Sequence, residues 1–553
     1  MAAALEFIPY DDLGKSVRRV PAQVDPWDGS GLALAYQPFG NIMATAAASF
    51  AGVVPLETSS ALAARRVPFD PSSVGLQTIV LCGLYMLNLA GNPGAAVFFL
   101  ILFWMALRST QGAFKALMLV GLGVALNQFF VPKSILWTPT RLALSGFCAM
   151  RCLVDVSAGN RSVRMGAYFY ALIAFCVTAA ICSVLSGYYV QIALLKLFNF
   201  FTVVAATLVA TEAIRQRRID MTPWFVSLFG TIVVFGLMSI AFGQSTNFVR
   251  YRGASEMLAA TNSLFNGAFL HPNSHTSLVA PAFVFLMAVT VFSTYRNRWI
   301  CGVMAGVLAV FMVYSQARTA IVAAFAGLVV IFLYAGPSRF LRGRRLKYNV
   351  GRGTMLGLAI IAVVGLAVAD NLSGGSIQRS IISFTNKSEN VETLDTEDMI
   401  RSREGMINRS WANFQESPVF GIGFQVSKDE YFRRNATLFT APAEKGFLYS
   451  ALLEEGGVLG TTAFAVFVLL FFGMLLRTRN IPGLAVAVTS FLATTFEVGL
   501  FAMGGSGTFF WTMIGAAIML GDHCWENSTR WAGRGIPVPT SPQPRPTRLA
   551  AGV

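Results

Sequence analysis

Four charged residues mark the start and the middle of one apolar segment near the C-terminus, residues 444–460, with the sequence EKGFLYSALLEEGGVLG. Glu444 and Lys445 precede the apolar run, and Glu454 and Glu455 interrupt it about two helical turns later. A carboxylate there could take the proton of a hydroxyl group, whereas an exposed interfacial lysine is protonated at neutral pH and suits phosphate binding. Neighbouring helix residues differ in direction by about 100°, so we expect one inner acid to pair with an arginine and the other to need a different polar partner. The acids serve either catalysis or a structural ion pair.

Other ionisable residues gather in polar segments between apolar runs. Arg318 begins an apolar helix in YSQARTAIV, and arginines at such boundaries either bind ligands or anchor the helix at the interface. His271 and His275 flank a helix start in AFLHPNSHTSLVAP, where free backbone N–H groups favour anions. No carboxylate accompanies these histidines at ligand spacing, so a helix cap and polar gate explain them better than a metal site. Arg250 and Arg252 add positive potential to the same region.

The longest polar insert, residues 371–445, carries a predicted amphipathic helix, EDMIRSREGMINRSWANFQES. Its apolar stripe consists of Met406, Ile407, Trp411 and Phe414. Arg401, Arg403 and Arg409 lie on the same helix, and Pro418 with the following GIG ends it. No strand precedes GIG and no helix with a phosphate-binding lysine follows it, which argues against a nucleotide-binding fold.

The elements that must position these residues are membrane-spanning helices. Of the 553 residues, 55% are apolar and 12% are charged, and the mean hydropathy is +0.60. Many apolar windows are long enough to cross about 30 Å of hydrocarbon as helices. We expect an all-α polytopic membrane protein with about 12–14 transmembrane helices. The predicted spans lie near 74–92, 93–107, 115–132, 134–150, 167–188, 195–212, 222–243, 277–294, 299–316, 319–336, 354–370, 446–475, 482–502 and 506–521.

Basic residues predict the orientation of the helices. Runs such as SRFLRGRRLKYNVGR (338–352) and RQRR (215–218) fall on one side of the predicted spans, which the positive-inside rule makes cytoplasmic. Both termini are then cytoplasmic. This topology and the anionic inner leaflet account for the net charge of +15 without a nucleic-acid partner. The seven cysteines lie in helices and the cytoplasmic tail, so we expect neither a disulfide framework nor a metal site.

The same topology divides the chain into five parts. They are a cytoplasmic N-terminal region (1–73), transmembrane helices (74–370), an extracytoplasmic loop domain (371–445), further transmembrane helices (446–521) and a Pro-rich, disordered cytoplasmic tail (522–553).

The order of the polar motifs is similar to that of one known group of enzymes. HPN at a helix start is followed by S-x-x-R-T-A, by a large outer loop with Arg and Trp ahead of P-x-x-G-x-G-F, and by E-x-G-x-x-G on a helix. Over roughly residues 265–475 this order resembles the O-antigen ligase and Wzy-type O-antigen polymerase superfamily. The resemblance implies a GT-C-like membrane fold and transfer of a glycan from a polyprenyl (undecaprenyl) diphosphate carrier on the outer face of the bacterial inner membrane. It implies no cofactor, metal or nucleotide sugar.

The resemblance also implies roles for particular residues. Arg318 and Arg403 match the arginines that hold the donor diphosphate, whose charge a guanidinium binds bidentately, and Glu455 matches the helix glutamate. Gly446, followed by Phe447, stands where ligases have a histidine and a small polar residue. The absence of that histidine favours a polymerase of lipid-linked repeat units over a ligase or a protein oligosaccharyltransferase. A glycan flippase, or an assembly protein that uses the outer loop for contacts, is the alternative from another class.

Arg318, Arg403 and Glu455 are therefore the predicted catalytic residues. Glu404, Glu444 or Glu454 are alternative carboxylates that could assist the acceptor hydroxyl, unless stabilisation of the leaving group does most of the work. The predicted substrate-binding residues are Arg250, Arg252, His271, His275, Arg409, Glu444, Lys445 and Glu454. The expected partners are the lipid-linked donor and acceptor glycans, the bilayer and a chain-length regulator.

Overall fold

The chain folds into α-helices, and no strand occurs in the part that the structure describes. The computed structural model describes residues 71–133, 136–157, 163–242, 267–269, 274–293, 297–315, 318–335, 396–428, 430–435, 445, 447–495, 498–501, 503 and 507–520. These residues belong to one compact unit, residues 57–553. An isolated antiparallel bridge joins Leu126 to Phe269.

The helices follow the apolar runs of the sequence. Those before the long polar insert are α1 (Pro71–Met86), α2 (Asn92–Arg108), α3 (Thr110–Ala125), α4 (Trp137–Ser157), α5 (Ala167–Ser186), α6 (Val190–Gln216), α7 (Thr222–Ala241), α8 (Ser274–Phe292), α9 (Trp299–Tyr314) and α10 (Arg318–Ala335). Those within and after it are α11 (Thr396–Glu416), α12 (Glu430–Asn435), α13 (Leu448–Arg477), α14 (Ile481–Thr495) and α15 (Gly507–Met519).

Several of these helices have the length and composition of membrane spans. Among the described residues, five helices are long and apolar enough to cross a membrane: Ser73–Ala90, Ala167–Ser186, Val190–Gln216, Thr222–Ala241 and Leu448–Arg477. The first of these combines α1 with the short 3-10 helix Leu87–Ala90 that follows it. The other apolar helices are shorter. Each predicted span except 354–370, which lies outside the described residues, coincides with a helix. The predicted all-α polytopic membrane fold is confirmed.

Charged contacts gather at one end of α4, α5 and α6. Asp155, near the end of α4, binds Arg151 at 2.8 Å and Arg217, just after α6, at 3.3 Å. The backbone N–H of Arg164, just before α5, donates to the Gln216 side chain at 3.2 Å. Arginines that the sequence places on the predicted cytoplasmic side therefore meet at one end of these helices.

The opposite ends of α5 and α6 receive the segment that follows α11. The ring of Phe424 enters an aromatic core formed by these two helices, α13 and Phe501, which lies between α14 and α15. Its centroid lies 6.5 Å from that of Phe175, 5.5 Å from that of Phe200 and 5.4 Å from that of Phe501. Phe464 of α13 completes this core, 5.3 Å from Phe175. Part of the long polar insert is therefore anchored in the apolar interior.

Candidate functional site

Helix α13 is interrupted at Gly457, whose φ of 58° and ψ of −161° are not helical. A helix break leaves carbonyl groups before it and N–H groups after it without partners inside the helix. The loop after α11 supplies those partners through four hydrogen bonds. They are Ile422 N–H to Glu454 O (2.8 Å), Gly423 N–H to Glu455 O (3.0 Å), Val458 N–H to Pro418 O (2.8 Å) and Leu459 N–H to Val419 O (3.3 Å). We call this pair of segments, residues 418–423 and 454–459, the backbone joint. It connects the motif P-x-x-G-x-G-F with the motif E-x-G-x-x-G.

Two glycines permit this close approach. A Cβ atom on Gly421 would lie 2.5 Å from the carbonyl carbon of Glu455, and one on Gly457 would lie 2.3 Å from the carbonyl oxygen of Val419. Their φ angles of 67° and 58° are in the left-handed region, which residues with a side chain rarely adopt. Both positions therefore require glycine for space as well as for conformation.

A cluster of three buried charges, Lys445, Glu454 and Glu455, adjoins the backbone joint. The ammonium of Lys445 lies 3.1 Å from Oε2 of Glu454 and 3.3 Å from Oε1 of Glu455, and the three side chains are 3%, 3% and 5% exposed. The predicted exposed lysine is therefore buried. Among the described residues, the cation that lies beside both carboxylates is this lysine, and the predicted pairing with an arginine stays a prediction.

Glu454 is fully engaged by its surroundings. Besides Lys445, its Oε2 accepts a hydrogen bond from the Ser410 hydroxyl at 2.7 Å, and its Oε1 accepts one from Nδ2 of Asn413 at 2.8 Å. Both donors lie on α11 and are buried. Charge-assisted hydrogen bonds of this kind are roughly twice as strong as neutral ones. Glu454 therefore fastens α11 to α13.

Glu455 retains acceptor capacity. Its Oε1 faces Lys445, whereas its Oε2 is buried and has no hydrogen-bond partner among the described residues. The backbone N–H of Gln425 and the side chain of Lys196, on α6, also interact electrostatically with this carboxylate. A buried carboxylate with an open lone pair can accept the proton of a hydroxyl group that reaches it.

The comparison with known families identifies the segment that holds the charge cluster. Residues 303–465 match the model of the O-antigen ligase family. The resemblance read from the motifs is thereby confirmed over this segment, which runs from α9 into α13. No curated protein matches the chain.

Within the segment that matches the O-antigen ligase family, α11 confirms the predicted amphipathic helix, which ends at Glu416 just before Pro418. The residues that pack most deeply differ from the predicted apolar stripe, because Ser410 and Asn413 are buried while Trp411 is 49% exposed. The physical reason is that this helix face binds the Glu454 carboxylate and not an apolar surface.

The predicted loop arginines also lie on α11. The backbone of Arg403 belongs to this helix, and its position seven residues before Ser410 places both on one helix face, about two turns apart. Its side chain lies outside the described part of the structure. Glu404 and Arg409 are exposed, and Arg409 has interactions of its own. Among the arginines of α11, Arg403 is therefore the one whose helical position falls on the same face as Ser410, which binds Glu454.

The described residues do not test the other predicted site residues. Arg318 begins α10, which packs on α8 and α14, and its side chain lies outside the described part of the structure. His275 lies in the first turn of α8. Arg250, Arg252, His271 and Glu444 lie outside the described residues, as does Gly446. In the described part of the chain, no group of three or more His, Cys, Asp or Glu side chains could hold a metal ion.

Sequence reasoning missed the contribution of α5 and α6. The Ser183 hydroxyl accepts a hydrogen bond from the backbone N–H of Phe424 at 3.0 Å, and the Ser186 hydroxyl donates to the carbonyl of Ile422 at 3.1 Å. Serines in an apolar helix give little signal. Lys196, by contrast, is a charge inside an apolar helix, and such charges are candidates for function.

Proposed function

We propose that this protein is a membrane glycosyltransferase that polymerises polyprenyl-diphosphate-linked repeat units on the outer face of the inner membrane. The observation that carries the proposal is the buried charge cluster, in which Oε2 of Glu455 has no hydrogen-bond partner in the described part of the chain while both oxygens of Glu454 accept hydrogen bonds. The cluster lies in the segment that matches the O-antigen ligase family. That family match supports a lipid-linked glycan as the substrate class.

In the proposed step, a hydroxyl oxygen of the acceptor repeat unit attacks the anomeric carbon of the donor chain. A new C–O bond forms, and the bond between the anomeric carbon and the phosphate oxygen breaks. The polyprenyl diphosphate leaves with the bonding electron pair, and the hydroxyl proton passes to Oε2 of Glu455. Because Glu455 is only 5% exposed, the residues that cover it must shift when the acceptor binds.

Arginines are proposed to hold the leaving diphosphate. Negative charge accumulates on a departing diphosphate, and guanidinium groups stabilise it best in a site that excludes water. Arg403 is the candidate on α11, because it shares a helix face with Ser410, which binds Glu454. Arg318 is retained as the second candidate from the family resemblance.

Polymerase and ligase differ in the acceptor. Gly446 and Phe447 occupy the positions at which ligases carry a histidine and a small polar residue, which favours a polymerase in which a carboxylate takes the proton. The description of the matched family as O-antigen ligase makes transfer of finished chains to a non-repeat acceptor the second candidate.

A complementation experiment separates these functions. A deletion strain would receive the wild type, Glu455→Gln, Arg403→Ala or Arg318→Ala at matched membrane levels, with Glu416→Gln as a control because Glu416 is an exposed acid paired with Lys428. Lipid-linked glycans would then be sized on a gel. We expect Glu455→Gln to lower polymerisation by about 10²–10⁴-fold, the usual contribution of a general base, so that single repeat units accumulate.

The alternative outcomes are distinct. Long lipid-linked chains that accumulate without reaching their acceptor would identify a ligase. A normal polymer ladder in Glu455→Gln would contradict the role of the charge cluster, and a normal ladder in both arginine variants would contradict the diphosphate assignment.

A further inference from the structure

Lys196 brings a positive charge from α6 to the turn at Gln425, within electrostatic range of Glu455. It lies in Val190–Gln216, one of the described helices that are long and apolar enough to cross a membrane. A charge within such a span is costly and is usually retained for a specific partner. Lys196 belongs to the N-terminal half of the chain, outside the segment 303–465 that matches the O-antigen ligase family.

The contacts of Lys196 hold the turn that faces Glu455. Its ammonium donates a hydrogen bond to the backbone carbonyl of Gln425 and lies 5.2 Å from the centroid of the Phe432 ring. Gln425 has a φ of 52°, a left-handed conformation that costs energy in a residue other than glycine and persists only when its surroundings hold it. The N–H of the same residue interacts with the Glu455 carboxylate.

Charge balance gives Lys196 a second role. With both acids ionised, the charge cluster contains two negative charges and one positive charge. The carboxylate of Glu454 is already bound by Lys445, Ser410 and Asn413. Lys196 interacts electrostatically with Glu455 and Lys445, so among the described residues it is a cation that can offset the remaining negative charge.

We infer that Lys196 is a positioning residue of the transferase site, which compensates the charge of Glu455 and holds the Gln425 turn against it. The inference rests on the proposed function of Glu455 as the group that takes the acceptor proton. It extends the site beyond the family-matched segment to a helix of the N-terminal half.

The test compares Lys196 with a lysine that makes similar contacts away from Glu455. Lys428 forms an ion pair with Glu416 and lies 5.8 Å from the Tyr188 ring centroid. Lys196→Met, Lys196→Arg and Lys428→Met would be compared in the full-length protein by polymer length and yield at matched membrane levels. We expect Lys196→Met to lower the yield on the order of 10²-fold, the effect of misplacing a catalytic group. Lys196→Arg should restore much of it, and Lys428→Met should resemble the wild type.

A second measurement covers the case in which Lys196→Met folds poorly. If Lys196 compensates the charge of Glu455, the double variant Lys196→Met/Glu455→Gln should regain thermal stability that Lys196→Met loses, because removing the carboxylate leaves no uncompensated charge. Losses that simply add would indicate independent sites and overturn the inference.

The remaining outcomes separate the inference from the proposed function. A normal ladder in Lys196→Met beside an inactive Glu455→Gln overturns only the inference. Equal losses of polymer yield in Lys196→Met and Lys428→Met, without recovery in Lys196→Arg, would mean that Lys196 only stabilises the structure. That outcome would also overturn the inference. A normal ladder in Glu455→Gln removes both the proposed role of Glu455 and the inference.

Discussion

Glu454 and Glu455 are neighbours in sequence, are equally buried and share one lysine, yet their surroundings differ. Glu454 accepts hydrogen bonds on both carboxylate oxygens, whereas Oε2 of Glu455 has no partner among the described residues. An acid whose oxygens are all engaged cannot take a proton without losing a contact. Glu454 therefore attaches α11 to α13, and Glu455 is the better candidate for the proposed proton transfer.

This difference predicts that two conservative substitutions have unequal effects on thermal stability. In Glu454→Gln, an amide NH₂ group replaces one of the carboxylate oxygens that face Lys445, Ser410 and Asn413. One of these buried donors then loses its acceptor, at a cost of about 1–3 kcal/mol. Glu455→Gln can keep its amide oxygen toward Lys445 and place its NH₂ group on the side that has no hydrogen-bond partner among the described residues. We expect Glu454→Gln to lower the melting temperature of the detergent-purified protein more than Glu455→Gln does. A larger loss in Glu455→Gln would contradict this difference.

At the scale of elements, the backbone joint is the feature that turns two motifs into one structure. The loop of residues 418–423 occupies the break in α13 and satisfies the backbone groups that the break exposes. The joint sets the start of α13, which carries both carboxylates, against the loop that ends at the Gln425 turn. Its geometry depends on the absence of side chains at Gly421 and Gly457, because backbone atoms of the two segments meet at these positions.

The joint gives a steric prediction with a control on the same helix. Gly457→Ala would bring a Cβ atom to 2.3 Å from the carbonyl oxygen of Val419, whereas a Cβ on Gly460 would meet nothing within 4 Å. We expect Gly457→Ala to lower the yield of monodisperse protein and to abolish polymer formation. Gly460→Ala should leave both unchanged, because alanine favours a helix over glycine by roughly 1 kcal/mol. Equal behaviour of the two variants, measured by size-exclusion chromatography and glycan gels, would contradict the steric account.

The sequence predicted the elements better than the contacts between them. Long apolar runs predict helices because each run must satisfy its own backbone groups in a membrane, and the helices match. The amphipathic pattern also predicted α11. Periodicity carries no information on which distant segment fills a helix break, so the joint between Gly421 and Gly457 was not predicted. For the same reason, the burial of Lys445 between two acids and the approach of Lys196 were missed.

At the scale of the whole molecule, the site is built by both halves of the chain. The family-matched segment supplies the joint and the charge cluster, while α5 and α6 supply Ser183, Ser186 and Lys196. The segment after α11 is thus held between two helical regions that are far apart in sequence. Substitutions in α5 or α6 are therefore expected to affect the site although they lie outside the matched segment.

The orientation of the molecule gives the last prediction. Arg151, Arg164 and Arg217 gather at one end of α4, α5 and α6, and the positive-inside rule predicts that this end is cytoplasmic. The charge cluster adjoins the opposite ends of α5 and α6, so we expect it to face outward, where lipid-linked repeat units are proposed to be joined.

Two introduced cysteines can test this orientation. Two exposed positions are suitable: Ala90, at the end of the turn after α1, and Ser157, at the end of α4. If each of α2, α3 and α4 crosses the bilayer, three spans separate these positions, and they lie on opposite sides of the membrane. The native cysteines of the described residues are buried, so Cys524→Ser gives a suitable background. We expect a membrane-impermeant maleimide to label Ala90→Cys in intact spheroplasts and Ser157→Cys only after permeabilisation. The reverse pattern would place the charge cluster on the cytoplasmic side, where a polymerase of exported repeat units could not use it.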